Sequence, residues 1–201
     1  MSYAGEEQSV SRRGVHSSLG LREWRDVDAA IAFALRSGAK RVVLFGWSMG
    51  ATAALLSGER SINRDSIAAF VFIDPATNWR SIVRSAARQA HAPAILAWLA
   101  CAILAAPGLF RLTGSPVRLD FDELDWTRRW RVVAPSLVIH SHGDRLVPFE
   151  LSTRFVSAQQ PNVRLVVFDD VPHCAEYNAD AARFDKTIID WLGCYVANDP
   201  S

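Results

Sequence analysis

Between Arg41 and Leu56 the chain reads RVVLFGWSMGATAALL, and its pattern changes abruptly within that run. Val42 to Phe45 are contiguous β-branched and large apolar residues, the composition of a strand buried on both faces of a parallel sheet. Gly46-Trp47-Ser48-Met49-Gly50 interrupts the strand. The small and apolar residues Ala51, Ala53, Ala54, Leu55 and Leu56 then favour a helix, which Gly58 can end. A strand that passes into a helix through a glycine-bounded serine is the corner of an α/β unit, and few other arrangements accept it.

Such a corner exposes Ser48 Oγ, while the first amides of the following helix lack intrahelical acceptors and can donate to a developing oxyanion. A side chain at Gly46 or Gly50 would crowd the turn or hold the helix off the strand. Gly-x-Ser-x-Gly alone arises by chance in on the order of a few per cent of chains this size, so its strand-and-helix setting carries the weight. A serine nucleophile needs a base within hydrogen-bond reach, and the base needs an orienting acceptor.

The remaining pattern supplies both. Trp24, Val27, Ile31, Ala34 and Leu35 form a helical stripe that Gly38 ends, and Ser66 to Ile73 is a second buried strand broken by Asp74-Pro75. Ser136 to His140 and Val163 to Phe168 are the third and fourth strands. Helices are predicted over Phe149 to Gln160 and over Ala181 to Val196, the latter with Phe184, Ile188, Trp191, Leu192 and Tyr195 as its apolar stripe. Catalytic groups of open α/β sheets gather at the carboxyl ends of strands. Ser48 follows the first strand, Asp144 the third and His173 the fourth. Asp74, after the second, is a rival acid, although Asp74-Pro75 is also sufficient as a strand terminator. Cys174 reads as a small packed residue.

A chain of 201 residues, 50% hydrophobic and 21% charged, can build one domain with a real core. Its net charge of +1, with both signs interspersed, gives no electrostatic case for nucleic acid. Cys101, Cys174 and Cys194 are odd in number and lack metal-like spacing, which suits a reducing compartment, and the expected location is cytoplasmic. Residues 1–20 are polar and read as a loop without the apolar core of an export signal. Ala92 to Phe110 carries no charge, but Pro93 and Pro107 leave a helix only ~20 Å long against a hydrocarbon thickness of ~30 Å. No transmembrane span is expected.

Residues 77–134 separate the second and third strands and hold Trp79, Trp98, Trp126 and Trp130 with this apolar helix. They form either a cap over the site or a packing helix of the main core. In the first case Ile95, Leu96, Trp98, Leu99, Ile103 and Leu104 shape a pocket for an acyl or aromatic group. The acidic-then-basic run DFDELDWTRRWR reads as a solvated helical face.

GWSMG at the corner, HGDRLVP around Asp144 and VPHCAEYN around His173 together resemble the α/β-hydrolase superfamily, in its serine aminopeptidase-like and lipase-like branch. The likeness covers roughly Leu21 to Val196, and three motifs are far more specific than one. It implies an α/β-hydrolase fold, a mostly parallel sheet flanked by helices with a helical cap. It further implies Ser48 as nucleophile, His173 as general base and then acid, Asp144 as orienting carboxylate and the Met49 amide as an oxyanion donor. Such an enzyme cleaves an ester, thioester or amide of a small-molecule acyl substrate through an acyl-enzyme, without a cofactor or metal.

The pattern departs from that family at the front. A complete α/β-hydrolase has several strands before the nucleophile strand, and a loop after one of them donates the second oxyanion N–H. Here the segment before Arg41 holds a helix and no convincing strand. The expectation is an N-terminally truncated fold whose first strand is an exposed edge, prone to self-association. A catalytically impaired or non-enzymatic fragment is the alternative. A metallohydrolase is a further one, since His140, His142 and Asp144 read as His-x-His-x-Asp and resemble part of a metallo-β-lactamase-like ligand set. Arg145 stands where that family has another histidine, and a fixed cation opposes a metal there. His16 and His91 lie in segments without supporting context.

Overall fold

The computed structural model describes residues 17–129 and 132–196. In chain order the elements are α1 (Trp24–Arg36), β1 (Val42–Trp47), α2 (Met49–Arg60), β2 (Ile67–Ile73), α3 (Trp79–Gln89), α4 (Ala94–Ala105), β3 (Ser136–Ser141), α5 (Phe149–Ala158), β4 (Val163–Phe168), α6 (Glu176–Ala179) and α7 (Ala181–Val196). The strands form one parallel sheet in the order β1-β2-β3-β4. Trp47 pairs with Ile73, Ile73 with Ile139, and Ser141 with Phe168, so the strands end nearly level. Whatever follows them shares one rim.

Strand alternation divides the core between the two faces of the sheet. Leu44, Phe70, Phe72 and Val138 pack with Val27 and Ile31 of α1, Leu56 of α2 and Phe155 of α5. On the other face Val71, Ile73, Leu137, Ile139 and Phe168 meet Phe184, Ile188 and Trp191 of α7. β2 and β3 are covered on both sides, which is why their sequences run apolar without alternation. Full burial of one such large side chain contributes about 1.5–3 kcal/mol.

Among the described residues β1 is an edge strand, and its apolar run is only half covered. Phe45 is 42% and Trp47 45% exposed, and they stack on each other at 6.1 Å between ring centroids. Both point, by period two, to the face where Val43 joins the α7 cluster. Among the described residues no strand precedes β1.

Gly38 ends α1 in a left-handed conformation, φ +99°. Gly58 does not end α2, which continues to Arg60. A Cβ on Gly58 would lie 2.9 Å from Phe70 Cζ, so this glycine lets a β2 ring approach the helix.

Between β2 and β3 the chain builds a helical pair, α3 and α4, and a short 3-10 turn over Leu109–Thr113. Asn78 caps α3, its Oδ1 accepting the Ser81 amide at 2.8 Å. Cys101, Leu119 and Phe121 form a satellite core under the pair, with Trp79, Val83 and Leu104 packed against it. The acidic-then-basic run is not a helical face. Asp120 Oδ1 accepts the amides of Asp122 and Glu123, and Asp125 Oδ1 that of Thr127, so local side-chain bonds set turns in place of a helix. Leu124 and Trp126 consequently enter the main core. Trp130 lies outside the described residues. Among those described, no helix is long and apolar enough to cross a membrane.

Candidate active site

Ser48 occupies the single residue between β1 and α2, with φ +48° and ψ −113°. A non-glycine residue held there stores about 1–3 kcal/mol of backbone strain, which the surroundings must over-determine. They do so from β2. Ser48 N donates to Ile73 O at 2.9 Å, and Ala76 N donates back to Ser48 O at 3.1 Å. A Cβ on Gly46 would come within 2.7 Å of the Ala51 backbone, so only glycine lets α2 turn so tightly against β1. Gly50 is buried in the first turn of α2. Met49 is the first residue of that helix, where an N–H has no intrahelical acceptor.

Asp144 lies in the loop from β3 to α5. Its Oδ1 accepts the amides of Leu146 and Val147 at 2.7 and 3.0 Å, which fixes the carboxylate and turns Oδ2 toward two imidazoles. His173 Nδ1 lies 2.6 Å from Oδ2 and His140 Nε2 3.2 Å from it. The loops carrying Asp144 and His173 are pressed together. A Cβ on Gly143 would sit 2.6 Å from the Asp170 backbone, and Ser141 Oγ accepts the amides of both Gly143 and Val171.

Burial works against an ionised Asp144, but hydrogen bonds from His140, His173 and the Val147 amide outweigh it and hold the carboxyl well below its usual range. Burial likewise opposes a charged His173 ring. The Asp144 hydrogen bond, then the Cys174 side chain, overcome it and raise the imidazole above its ordinary value.

Asp74, at the end of β2, is wholly buried behind this pair. Its Oδ2 accepts the Cys174 amide at 2.6 Å and lies 3.4 Å from His173 Nδ1, farther than Asp144. Its Oδ1 is 3.6 Å from His140 Nε2. Burial, reinforced by the neighbouring carboxyl of Glu176, pushes Asp74 up to about 7. Burial also raises Glu176, which is fully enclosed at the start of α6. Both carboxyls are thus shifted toward their neutral forms.

The metallohydrolase trio does not assemble. His140 is enclosed, with Ser152 Oγ 2.6 Å from its Nδ1, whereas His142 is half exposed on the Phe149 ring at 4.1 Å between centroids. Alternation does bring both rings to Phe149, but β3 ends at Ser141 and the chain then turns His142 toward solvent. His91 is exposed in the α3–α4 turn, and His16 lies outside the described residues.

An open cleft of roughly 580 Å³ runs beside Asp144, lined by Ser85, Gln89, His142, Arg145 and Phe149 among others. Ile95, Leu96, Trp98 and Leu99 of α4, expected to shape an acyl pocket, are instead 44–61% exposed, and Leu104 packs inward on the satellite core. Sequence reasoning also missed His140, Ser152 and Glu176 as members of the buried network. For His140 the available signal was a polar residue at the end of the apolar run SLVIH, whereas Ser152 and Glu176 stand in no such run.

The Alpha/beta hydrolase family model matches residues 9–185. The chain belongs to this family. As an α/β hydrolase it superposes on an esterase of Pyrococcus furiosus with a TM-score of 0.64 at 20% identity, over 90% of this chain and 64% of the other. The esterase domain of a Rhodothermus marinus protein gives 0.60 at 23% identity, over 88% and 70%. A curated 2-hydroxy-6-oxononadienedioate/2-hydroxy-6-oxononatrienedioate hydrolase of Cupriavidus pinatubonensis is 33% identical over 67 residues, which are 33% of this chain and 22% of that one. This α/β hydrolase thus spans less than two thirds of the length of the Pyrococcus esterase, and the aligned stretch is under a quarter of the curated relative.

Proposed function

We propose that the chain is a serine hydrolase that cleaves an ester, thioester or amide bond of a small-molecule substrate through an acyl-enzyme on Ser48. The observation that carries this reading is the 2.6 Å contact of His173 Nδ1 with Asp144 on the rim where Ser48 is held at positive φ. With its Nδ1 proton given to Asp144, neutral His173 has its Nε2 lone pair left to take the Ser48 Oγ proton. The ionised carboxylate then stabilises the imidazolium. The Met49 N–H supports the oxyanion, the leaving group departs with the proton from Nε2, and water, activated by the same nitrogen, releases the acid. Asp144 suits the orienting role better than Asp74, because it is closer and stays ionised. Cys101, Cys174 and Cys194 form no disulfide among the described residues, which fits a cytoplasmic setting.

A second reading, a catalytically impaired fragment that self-associates through β1, is favoured by one observation. Among the described residues no strand precedes β1 to carry a second oxyanion donor, and loss of one donor costs on the order of 10²–10³ in turnover. Fluorophosphonate labelling separates the two. The chain is expected to be labelled and Ser48→Ala not, with Asp144→Asn slowing the reaction more than Asp74→Asn. Labelling that survives Ser48→Ala overturns the nucleophile; a folded chain that resists labelling establishes the second reading.

A further inference from the structure

The catalytic imidazole is backed by more ligating atoms than an orienting carboxylate requires. One ligand atom each from Asp74, His173 and Cys174 lie within 4.8 Å of one another. Asp144 Oδ2 is 2.6 Å from the same His173 nitrogen that faces Asp74. Asp74 is 0% exposed, and its Oδ1 has no hydrogen-bond partner, nor does either oxygen of Glu176 beside it. Buried carboxyl oxygens without a hydrogen-bond donor are therefore gathered on this side of the ring. Cys174, at φ +57°, is half-buried, and the His173 side chain is 16% exposed, so the cluster has an approach from solvent.

Thiolate, imidazole and carboxylate in one cluster are the donors of Zn²⁺, which takes four of them in a tetrahedron at about 2.0–2.3 Å. Mg²⁺ and Ca²⁺ prefer six or more oxygens and are poorly matched. The supporting shell is also present. The Leu146 and Val147 amides fix Asp144 through Oδ1, the Cys174 amide fixes Asp74, and His140 backs Asp144 Oδ2.

We propose that Asp74, His173 and Cys174, with Asp144 as fourth ligand, form an inhibitory binding site for a borderline-soft divalent cation of the Zn²⁺ class. The proposal rests on the reading of Ser48, His173 and Asp144 as the catalytic groups. Its mechanism is a change of tautomer. The ring nitrogen facing both carboxylates is Nδ1, and a cation bound there displaces the proton that Nδ1 gives to Asp144. The neutral ring must then carry its one proton on Nε2, which can no longer accept from Ser48. The serine is silenced without being touched. Because the thiol must ionise and the imidazole must be neutral, binding releases protons and weakens as pH falls.

The test uses the whole chain, freed of metal with EDTA and titrated with ZnCl₂ by two readouts: competition with a chromophoric zinc chelator and the rate of fluorophosphonate labelling. One Zn²⁺ is expected to bind per chain and to slow labelling by about tenfold or more, with full recovery in EDTA and no effect of Mg²⁺. Cys174→Ser, compared with its own metal-free labelling rate, is expected to require about tenfold more Zn²⁺ for both effects. Cys194→Ser, at the exposed end of α7, is expected to match the parent chain. Zn²⁺ that does not bind, or that binds and inhibits Cys174→Ser as strongly as the parent, overturns the site. A parent chain that resists labelling without metal sinks the serine-hydrolase reading instead, and chelator competition still decides the metal site by itself.

Discussion

Asp74 and Asp144 are identical carboxyls that follow strands β2 and β3, and their surroundings shift them in opposite directions. Asp144 faces two imidazoles and two amides; Asp74 is buried beside the Glu176 carboxyl. The same fold thus lowers one acid and raises the other. The consequence for stability follows from the direction of each shift. Asp74 is raised to about 7, so its contribution is complete below the ordinary carboxylate range and is lost as pH climbs toward 7. Asp144 is depressed, so its contribution is kept above that range and lost only in strong acid. His173 is raised, so its contribution is present below the ordinary imidazole value and fades at alkaline pH. The chain should therefore lose stability as neutrality is approached from acid, by up to about 1.4 kcal/mol per pH unit for each proton released. Glu176→Gln removes the acidic neighbour and should flatten that slope. Urea unfolding of both proteins through the mildly acidic range checks it, and superimposable profiles would contradict the influence of Glu176 on Asp74.

At the scale of elements, β1 combines two properties that conflict. It reads in sequence as a strand buried on both faces, yet it lies at the sheet edge with Phe45 and Trp47 half exposed. Unpaired backbone beside apolar rings is a template for a second strand. Concentration-dependent association is expected in sedimentation velocity, and Phe45→Lys should return the chain to monomer by placing a charge on that edge. A parent chain that stays monomeric at every concentration would show the edge to be inert. The strands themselves were legible, because β2, β3 and β4 are short β-branched runs ended by Asp, His or Gly-containing turns. α3 was not. Its arginine-rich sequence has few large apolar positions, and it forms because Asn78 caps it and α4 packs along it. The run from Asp120 misled for the opposite reason: charge suggested a solvated helix, whereas Asx-type bonds made turns that deliver Leu124 and Trp126 to the core.

For the molecule as a whole, the proposed chemistry depends on the surface that lies beside the strand-end rim. The cleft beside Asp144 is lined largely by polar groups, and the apolar face of α4 looks outward. Short p-nitrophenyl esters should therefore be turned over faster than long ones, and Ile95→Ser with Trp98→Ser should change the short-ester rate by no more than about twofold, as surface substitutions do. A kcat/KM that rises with acyl length would place the acyl chain against α4 after all. The one-dimensional pattern determined the parallel α/β sheet, its elbow at Ser48 and the residues that end each strand, since apolar period, glycine sterics and strand polarity are local properties. Only tertiary structure decided which carboxyl meets His173, which histidine is enclosed and which apolar residues stay outside. Those outcomes depend on distances between segments far apart in the chain and on how completely each is shielded from water, and neither quantity is written in any local stretch.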